Sequence, residues 1–218
     1  GPYSLIFAQS MGYGKELGIL PVAGSFYFTD QSVLRGKVYT VQDVALPLAA
    51  VHGDPDVVVD GQTRFGPTAK VLPLLERHKY SSMKGFVRRP VMSIAGVITI
   101  IKILSDPVVL RFILKNFLYD LPVVGKWLFL KQARKIVPGI RWKELKLGKG
   151  MGGIRPQVVD TKTRTMHMGE SSLIKPGIIF NTTPSPGASV ALMNGVEDAK
   201  RVVADLGEGF AFQEDRFL

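Results

Sequence analysis

Residues 178–203 read IIFNTTPSPGASVALMNGVEDAKRVV and predict a strand, a loop and a long helix in that order. Ile178-Ile179-Phe180 is typical of a strand, and the loop after it is rich in Pro, Ser and Gly. From Val190 to Val203 apolar residues recur at helical spacing, with charged residues mostly on the other side. Small residues that open a helix leave backbone N–H groups unpaired, and the helix dipole favours negative charge there. The loop is therefore either an ordinary serine-capped helix start or a place to hold the electron-rich edge of a cofactor.

A second motif, Gly153-Ile154-Arg155-Pro156, precedes this loop in the chain and helps to interpret it. With Asp160, the pair Met168-Gly169 and the loop and helix after them, it resembles the C-terminal end of the D-amino-acid-oxidase-like FAD-dependent oxidoreductases. Within that superfamily Ser185-Pro186-Gly187-Ala188-Ser189 looks most like the malate:quinone oxidoreductases.

Two further stretches agree with the resemblance. Gly36-Lys37-Val38-Tyr39 resembles a Lys-Val-Tyr segment of the malate:quinone enzymes. His52, Asp60-Gly61 and Gly66-Pro67-Thr68-Ala69 resemble a His…Asp-Gly…Gly-Pro-x-Ala pattern of these enzymes and of the 2-hydroxyglutarate dehydrogenases. The chain has Val51-His52-Gly53-Asp54 where the malate:quinone enzymes carry Pro-His-Leu-Asp, so a related 2-hydroxy-acid or amino-acid dehydrogenase stays open.

The resemblance implies roles for individual residues. Arg155 would hold the substrate carboxylate over the flavin, because a guanidinium is a fixed fork of donors that matches a carboxylate. The alternative is a solvated or salt-bridged strand arginine. Arg64 is the candidate for a second carboxylate contact. His52 would take the hydroxyl proton of a 2-hydroxy acid as hydride leaves for the flavin, or else is a sheet-edge histidine. The residues expected against the isoalloxazine edge are Ser185, Gly187, Ala188 and Ser189.

The predicted fold class is α+β, with an antiparallel or mixed sheet, a helical subdomain and a last helix that packs on an absent FAD-binding Rossmann-like domain. We expect a substrate-domain sheet from residues 1–85 and 139–180, a helical subdomain from 86–138, and a flavin-contacting loop and helix from 181–218. The chain lacks the Gly-x-Gly-x-x-Gly of a dinucleotide site, since Gly12-Tyr13-Gly14 has neither the preceding strand nor the third glycine. With this motif missing, the resemblance implies that the half that binds the FAD pyrophosphate lies upstream.

Local patterns predict most element positions. Asp60-Gly61, between Val57-Val58-Val59 and residues 62–65, is typical of a two-residue hairpin turn. Asp106-Pro107 predicts a helix start with proline at its first position. Helices are predicted over 4–11, 91–104, 107–119 and 126–136, and strands over 20–22, 25–29, 37–40, 41–52, 140–146 and 154–159.

The net charge of +10 is compatible with nucleic acid, an anionic membrane, an acidic substrate or an acidic partner domain. The lysines and arginines are spread in small groups without a nucleic-acid-binding motif, so no nucleic-acid partner is predicted. The absence of cysteine excludes disulfides and thiolate chemistry. The 3 scattered histidines lack metal-ligand spacing, so no metal is predicted.

Residues 90–137 are rich in apolar side chains, but their longest uncharged run is too short to span a bilayer. They are core helices, an amphipathic surface that reaches a membrane quinone, or a subunit interface. The resemblance implies the substrate-side part of an FAD-dependent dehydrogenase that oxidises a malate-like 2-hydroxy acid, with quinone as acceptor. It would be cytoplasmic, or peripheral on the inner face of the membrane. The alternatives are a non-enzymatic membrane-surface or subunit-interaction domain and a related amino-acid oxidase.

Overall fold

The computed structural model describes residues 1–41, 50–87, 93–167, 169, 171–183 and 187–213, with the backbone alone at 188 and 189. The helices are α1 (Pro2–Ser10), α2 (Ser82–Val87), α3 (Ile94–Leu104), α4 (Pro107–Leu118), α5 (Val124–Ala133) and α6 (Gly187–Leu206). The strands are β1 (Leu17–Ala23), β2 (Tyr27–Thr29), β3 (Val38–Tyr39), β4 (His52–Pro55), β5 (Thr63–Gly66), β6 (Lys70–Val71), β7 (Lys146–Leu147), β8 (Ile154–Asp160), β9 (Thr165–Met166), β10 (Ser172–Lys175) and β11 (Ile178–Asn181). Helices combine with antiparallel sheets, so the predicted α+β class is confirmed.

The first sheet has the strand order β6-β1-β8-β9. All seven residues of β1 are buried, because both faces of this central strand are covered. One face packs on α1 and α2 through the cluster Leu5, Ile6, Leu17, Ile19, Leu75, Phe86 and Val158. The other face packs on α3 and α4 through Leu20, Val22, Ala69 and Val159 with Ile100, Ile103, Leu104 and Phe112.

The second sheet has the strand order β3-β4-β5-β2-β7. One face carries Tyr27 and Phe65, which are fully buried against α5. Phe129 of α5 stacks on Tyr27 with ring centroids 4.4 Å apart, and the ring of Tyr119 meets Phe129 edge-on at 5.4 Å. This aromatic cluster attaches the helical segment to the second sheet and leaves the opposite face of β4 and β5 for other side chains.

The third sheet is the hairpin β10–β11, and α6 follows it as predicted. The helix spans 20 residues, yet Leu192 is 89% and Met193 68% exposed. The described residues therefore do not cover part of the apolar side that predicted this helix.

Two predicted elements are wrong in detail. The hairpin of β4 and β5 exists, but its loop runs from Asp56 to Gln62 and is longer than two residues. The Asp56 carboxylate accepts hydrogen bonds from the N–H groups of Val58 and Val59 at 2.8 and 3.3 Å, and this turn ends the strand before Asp60-Gly61. The strand predicted over 140–146 begins only at Lys146, the first residue of β7. Before it, the Glu144 carboxylate accepts from the backbone and side chain of Arg141 and closes a 3-10 turn at 142–144.

Other local predictions agree with the structure. The Asp106 carboxylate accepts from the N–H groups of Val108 and Val109 at 2.8 and 3.1 Å and caps α4, with Pro107 at its first position. The strands predicted at 20–22 and 154–159 correspond to β1 and β8. Most of the strand predicted over 41–52, the start of the helix predicted at 91, and Met168 lie outside the described residues. The division of the chain into three functional parts stays a prediction.

Helices α3 to α5 also present apolar side chains to solvent. Ile94 is 82%, Ile101 58%, Leu114 57% and Trp127 54% exposed. Basic residues accompany them on the same helices at Lys102, Arg111, Lys115, Lys126 and Lys131. Within the described ranges, no helix has the length and apolar content needed to cross a membrane.

Candidate functional site

The face of the second sheet opposite α5 gathers polar side chains from three adjacent strands. Tyr39 of β3 pairs with His52 of β4, and His52 pairs with Gly66 of β5. In the next row Asp54 pairs with Arg64. Directly opposite residues in antiparallel strands project from the same face, so register alone places these side chains together.

His52 lies at the centre of this face and is only 8% exposed. Its ring centroid lies 5.1 Å from that of Tyr39 and 6.3 Å from that of Phe26. Burial is the main cause that lowers the pKa of His52, and the positive charges of Lys37 and Arg155 lower it further. The carboxylate of Asp54 and a backbone hydrogen bond with Ala50 oppose these effects. The net shift favours a neutral imidazole, which is the form that can accept a proton.

Asp54 lies between His52 and Arg64. Its Oδ2 accepts hydrogen bonds from Nε and Nη2 of Arg64 at 2.9 and 2.7 Å. Its Oδ1 is buried, makes no hydrogen bond with any residue that the structure describes, and lies 3.7 Å from Nε2 of His52. This last distance is too long for a hydrogen bond, but it allows the carboxylate to stabilise a protonated imidazole.

Arg64, the predicted second carboxylate contact, is therefore already engaged. The hydrogen bonds with Asp54 are the main cause that raises its pKa, and the guanidinium carbon lies 5.5 Å from the centroid of the Phe26 ring. A substrate carboxylate could reach Arg64 only by sharing its guanidinium with Asp54. Its role in substrate binding stays a prediction.

Arg155 approaches the same place from the first sheet. It pairs with Val22 in the β1–β8 ladder and is half-buried. Burial is the main cause that lowers the pKa of Arg155, and Tyr39 opposes that shift. The positive charge of Arg155 makes the smallest of the five contributions to the shifted pKa of His52. Arg155 and His52 thus come from different sheets, and the role of Arg155 in holding a substrate carboxylate stays a prediction.

The backbone around Gly24 explains how the two sheets meet. Gly24 N–H donates a hydrogen bond to the Gly153 carbonyl at 3.0 Å. The carbonyl of Ser25, the residue after Gly24, accepts a hydrogen bond from Thr68 N–H at 2.9 Å. The segment after β1 therefore contacts both the Arg155 motif and the motif that begins at Gly66. Gly152 has a φ of +109°, and a Cβ there would lie 2.0 Å from the Gly24 carbonyl oxygen, so this close approach requires glycine.

The predicted cofactor loop is described only in part. Ser185 lies outside the described residues, and Ala188 and Ser189 are described as helical backbone. Gly187 begins α6, and a Cβ added there would meet no atom within 4 Å. The described residues thus leave open space at the first residue of a long helix, which suits the edge of an anionic or electron-rich group.

Lys37 was not predicted as a site residue, although it belongs to the Lys-Val-Tyr motif at 37–39. Its Nζ lies 5.4 Å from the centroid of the Tyr39 ring, and its charge is the second largest cause that lowers the pKa of His52. The signal was present in the sequence, since residues two apart in a strand share a face. Only the pairing of Tyr39 with His52 connects that face to the site.

Comparison with known proteins gives a consistent result. No model of a known protein family matches the chain. The chain is 46% identical over 98% of its length to a probable malate:quinone oxidoreductase of Helicobacter acinonychis (strain Sheeba) and to a malate:quinone oxidoreductase of Helicobacter pylori (strain J99 / ATCC 700824). It is 45% identical over its whole length to a probable malate:quinone oxidoreductase of Campylobacter jejuni subsp. jejuni serotype O:2. The chain spans about half the length of these curated relatives, 48% of each. The resemblance inferred from short motifs is confirmed.

Proposed function

We propose that this chain, a homologue of malate:quinone oxidoreductases over about half of their length, forms the substrate side of an FAD-dependent enzyme that oxidises a malate-like 2-hydroxy acid. The observation that best supports this is the arrangement around the buried imidazole of His52, where sheet register places Tyr39, Asp54 and Arg64 on one face. The Gly153 carbonyl, two residues before Arg155, accepts a hydrogen bond from Gly24 N–H in the segment that joins the first sheet to the second. The carboxylate and the hydroxyl of a 2-hydroxy acid lie on neighbouring carbon atoms. Its oxidation therefore needs a cation that binds the carboxylate and, close to it, a base that takes the hydroxyl proton.

Arg155 holds the carboxylate next to the reacting carbon in this proposal. Its half-buried position shields an ion pair from water, which makes a charge-assisted hydrogen bond stronger than at an exposed site. An arginine keeps its charge even where burial lowers its pKa, so the anchor works at any physiological pH.

His52 takes the proton of the substrate hydroxyl. Because burial and two nearby cations lower its pKa, the ring is neutral at pH 7 and ready to accept a proton. Proton uptake creates an imidazolium 3.7 Å from Oδ1 of Asp54, where the carboxylate stabilises it. Arg64 holds that carboxylate in place through its two hydrogen bonds to Oδ2.

FAD would supply the acceptor for the hydride that leaves the α-carbon. The residues of this chain proposed to lie against its ring edge are Ser185, Gly187, Ala188 and Ser189. Two features support this placement: no atom of the described residues lies within 4 Å of a Cβ added at Gly187, and the dipole of α6 favours negative charge there. We expect the part of the protein that holds the FAD pyrophosphate to lie outside this chain, and the uncovered side of α6 is available to contact it.

The exposed apolar side chains on α3, α4 and α5 favour a role at a membrane surface, where a quinone would collect the electrons. Apolar side chains flanked by Lys and Arg suit the interface of an anionic bilayer. Sedimentation of the full-length protein with vesicles of phosphatidylglycerol and phosphatidylcholine should be strong for the wild type and weak for Ile101→Glu. Equal sedimentation of both proteins would contradict this role and leave the chemistry of the site untouched.

The activity itself is tested on the full-length protein by recording its visible spectrum and adding L-malate without oxygen. We expect a flavin spectrum that malate bleaches in the wild type and in Arg111→Met, a matched control at an exposed arginine of α4. In Arg155→Met the flavin should remain oxidised. A colourless protein that takes up no FAD would contradict the flavoenzyme proposal, and bleaching of Arg155→Met at the wild-type rate would contradict the role of Arg155.

A further inference from the structure

The segment Lys37-Val38-Tyr39 carries the Lys-Val-Tyr motif of the sequence and lies next to the proposed base. In the structure it forms the edge of the second sheet, where Tyr39 pairs with His52 and Val38 pairs with Gly53. The Nζ of Lys37 lies over the ring of Tyr39 at 5.4 Å, and that ring lies 5.1 Å from the imidazole. The ammonium group is therefore on the face that carries His52.

Two cations from different sheets act on the same imidazole. Lys37 at the edge of the second sheet and Arg155 on β8 of the first sheet both lower the pKa of His52. A 2-hydroxy dicarboxylate has one carboxylate next to the carbon that loses hydride and a second one beyond it. Lys37 lies over the Tyr39 ring beside His52, and Arg155 lies on the other sheet, so there is one cation for each carboxylate of such a substrate. A monocarboxylate would use one of these cations only.

Lys37 is a better candidate for the distal carboxylate than Arg64. Arg64 donates two hydrogen bonds to one oxygen of Asp54, so a carboxylate of the protein already compensates its charge. Lys37 is exposed and forms no ion pair with a carboxylate of the described residues. A lysine ammonium on a flexible stem can turn towards a bound anion without breaking an existing pair.

We propose that Lys37 binds the distal carboxylate of the substrate and makes the site selective for 2-hydroxy dicarboxylates over monocarboxylates. This inference rests on the proposed oxidation of a 2-hydroxy acid, and it names the feature of the substrate that the site would recognise. Tyr39 keeps the lysine over the site through its ring, since a cation near an aromatic face is attracted to it.

The experiment compares L-malate with 2-hydroxybutyrate, in which a methyl group replaces the distal carboxylate, as reductants of the flavin in the full-length protein. In Lys37→Met, kcat/KM for malate should fall by roughly tenfold or more, the loss expected for one charge-assisted hydrogen bond, with little change for 2-hydroxybutyrate. Lys37→Arg should retain most of the malate activity. Lys162→Met is the matched control, because Lys162 is an exposed lysine in the turn after β8.

Several outcomes would overturn the inference. These are an unchanged kcat/KM for malate in Lys37→Met, an equal loss with both substrates, or a selective loss of malate in Arg64→Met instead. A wild-type flavin that no 2-hydroxy acid reduces would contradict the proposed function, and this result is separate because the wild type is measured first. As an independent readout, Lys37→Met removes a charge that lowers the pKa of His52, so the acid limb of kcat/KM should move to higher pH.

Discussion

Replacing Arg64 by Met tests whether this arginine serves mainly to hold Asp54. The variant loses two N–H···O hydrogen bonds and leaves Asp54, whose side chain is 9% exposed, with neither carboxylate oxygen hydrogen-bonded to a described residue. Removing one partner of a buried ion pair costs about 3–5 kcal/mol. Because the side chain of Arg64 is 29% exposed, water compensates part of this loss, and we expect a decrease of roughly 2–3 kcal/mol in the free energy of unfolding.

The assay is unfolding of the full-length protein in urea, followed by circular dichroism and by tryptophan fluorescence. The matched variant is Arg64→Met combined with Asp54→Asn, in which an uncharged amide replaces the unpaired carboxylate. We expect the double variant to be more stable than Arg64→Met alone, since the buried charge is gone. A loss of less than about 1 kcal/mol in Arg64→Met would place the pair among ordinary surface ion pairs and refute the reasoning.

Three further predictions concern the base, the backbone and the core. The value of kcat/KM should fall only below about pH 6.5, because the pKa of His52 is lower than its ordinary value. Asp54→Asn removes a charge that raises this pKa, so the acid limb should move to lower pH, and a shift to higher pH would contradict the prediction. Gly66→Ala should lower the melting temperature and the activity together, because the added Cβ would lie 2.9 Å from the Ser25 carbonyl oxygen. An unchanged melting temperature would show that the backbone around Ser25 makes room for the Cβ without loss of stability. Phe129→Ala removes a fully buried ring and should lower the free energy of unfolding, measured by urea denaturation, by about 3–5 kcal/mol. A loss below about 1 kcal/mol would mean that the aromatic cluster does not attach the helical segment to the second sheet.

Local patterns predicted the elements where they dominate the local energetics. Asp106-Pro107 began a helix as expected, because the carboxylate and the fixed φ of proline act within a few residues. The hairpin turn was misplaced for the same kind of reason. The Asp56 carboxylate captures two backbone N–H groups and ends β4 before the Asp-Gly pair is reached.

The sequence by itself determined the α+β class, the helix after β11 and the resemblance carried by the Arg155 and His52 motifs, since these depend on residue type and spacing along the chain. Only the tertiary structure decided which charges meet. Register places Tyr39 beside His52 and Asp54 beside Arg64, and the passage of the chain at Gly24 brings the first sheet to the second. Pairing between distant strands depends on the packing of whole sheets, so Arg64 could not be recognised as the partner of Asp54, nor Lys37 as a neighbour of the base, before the strands were assembled.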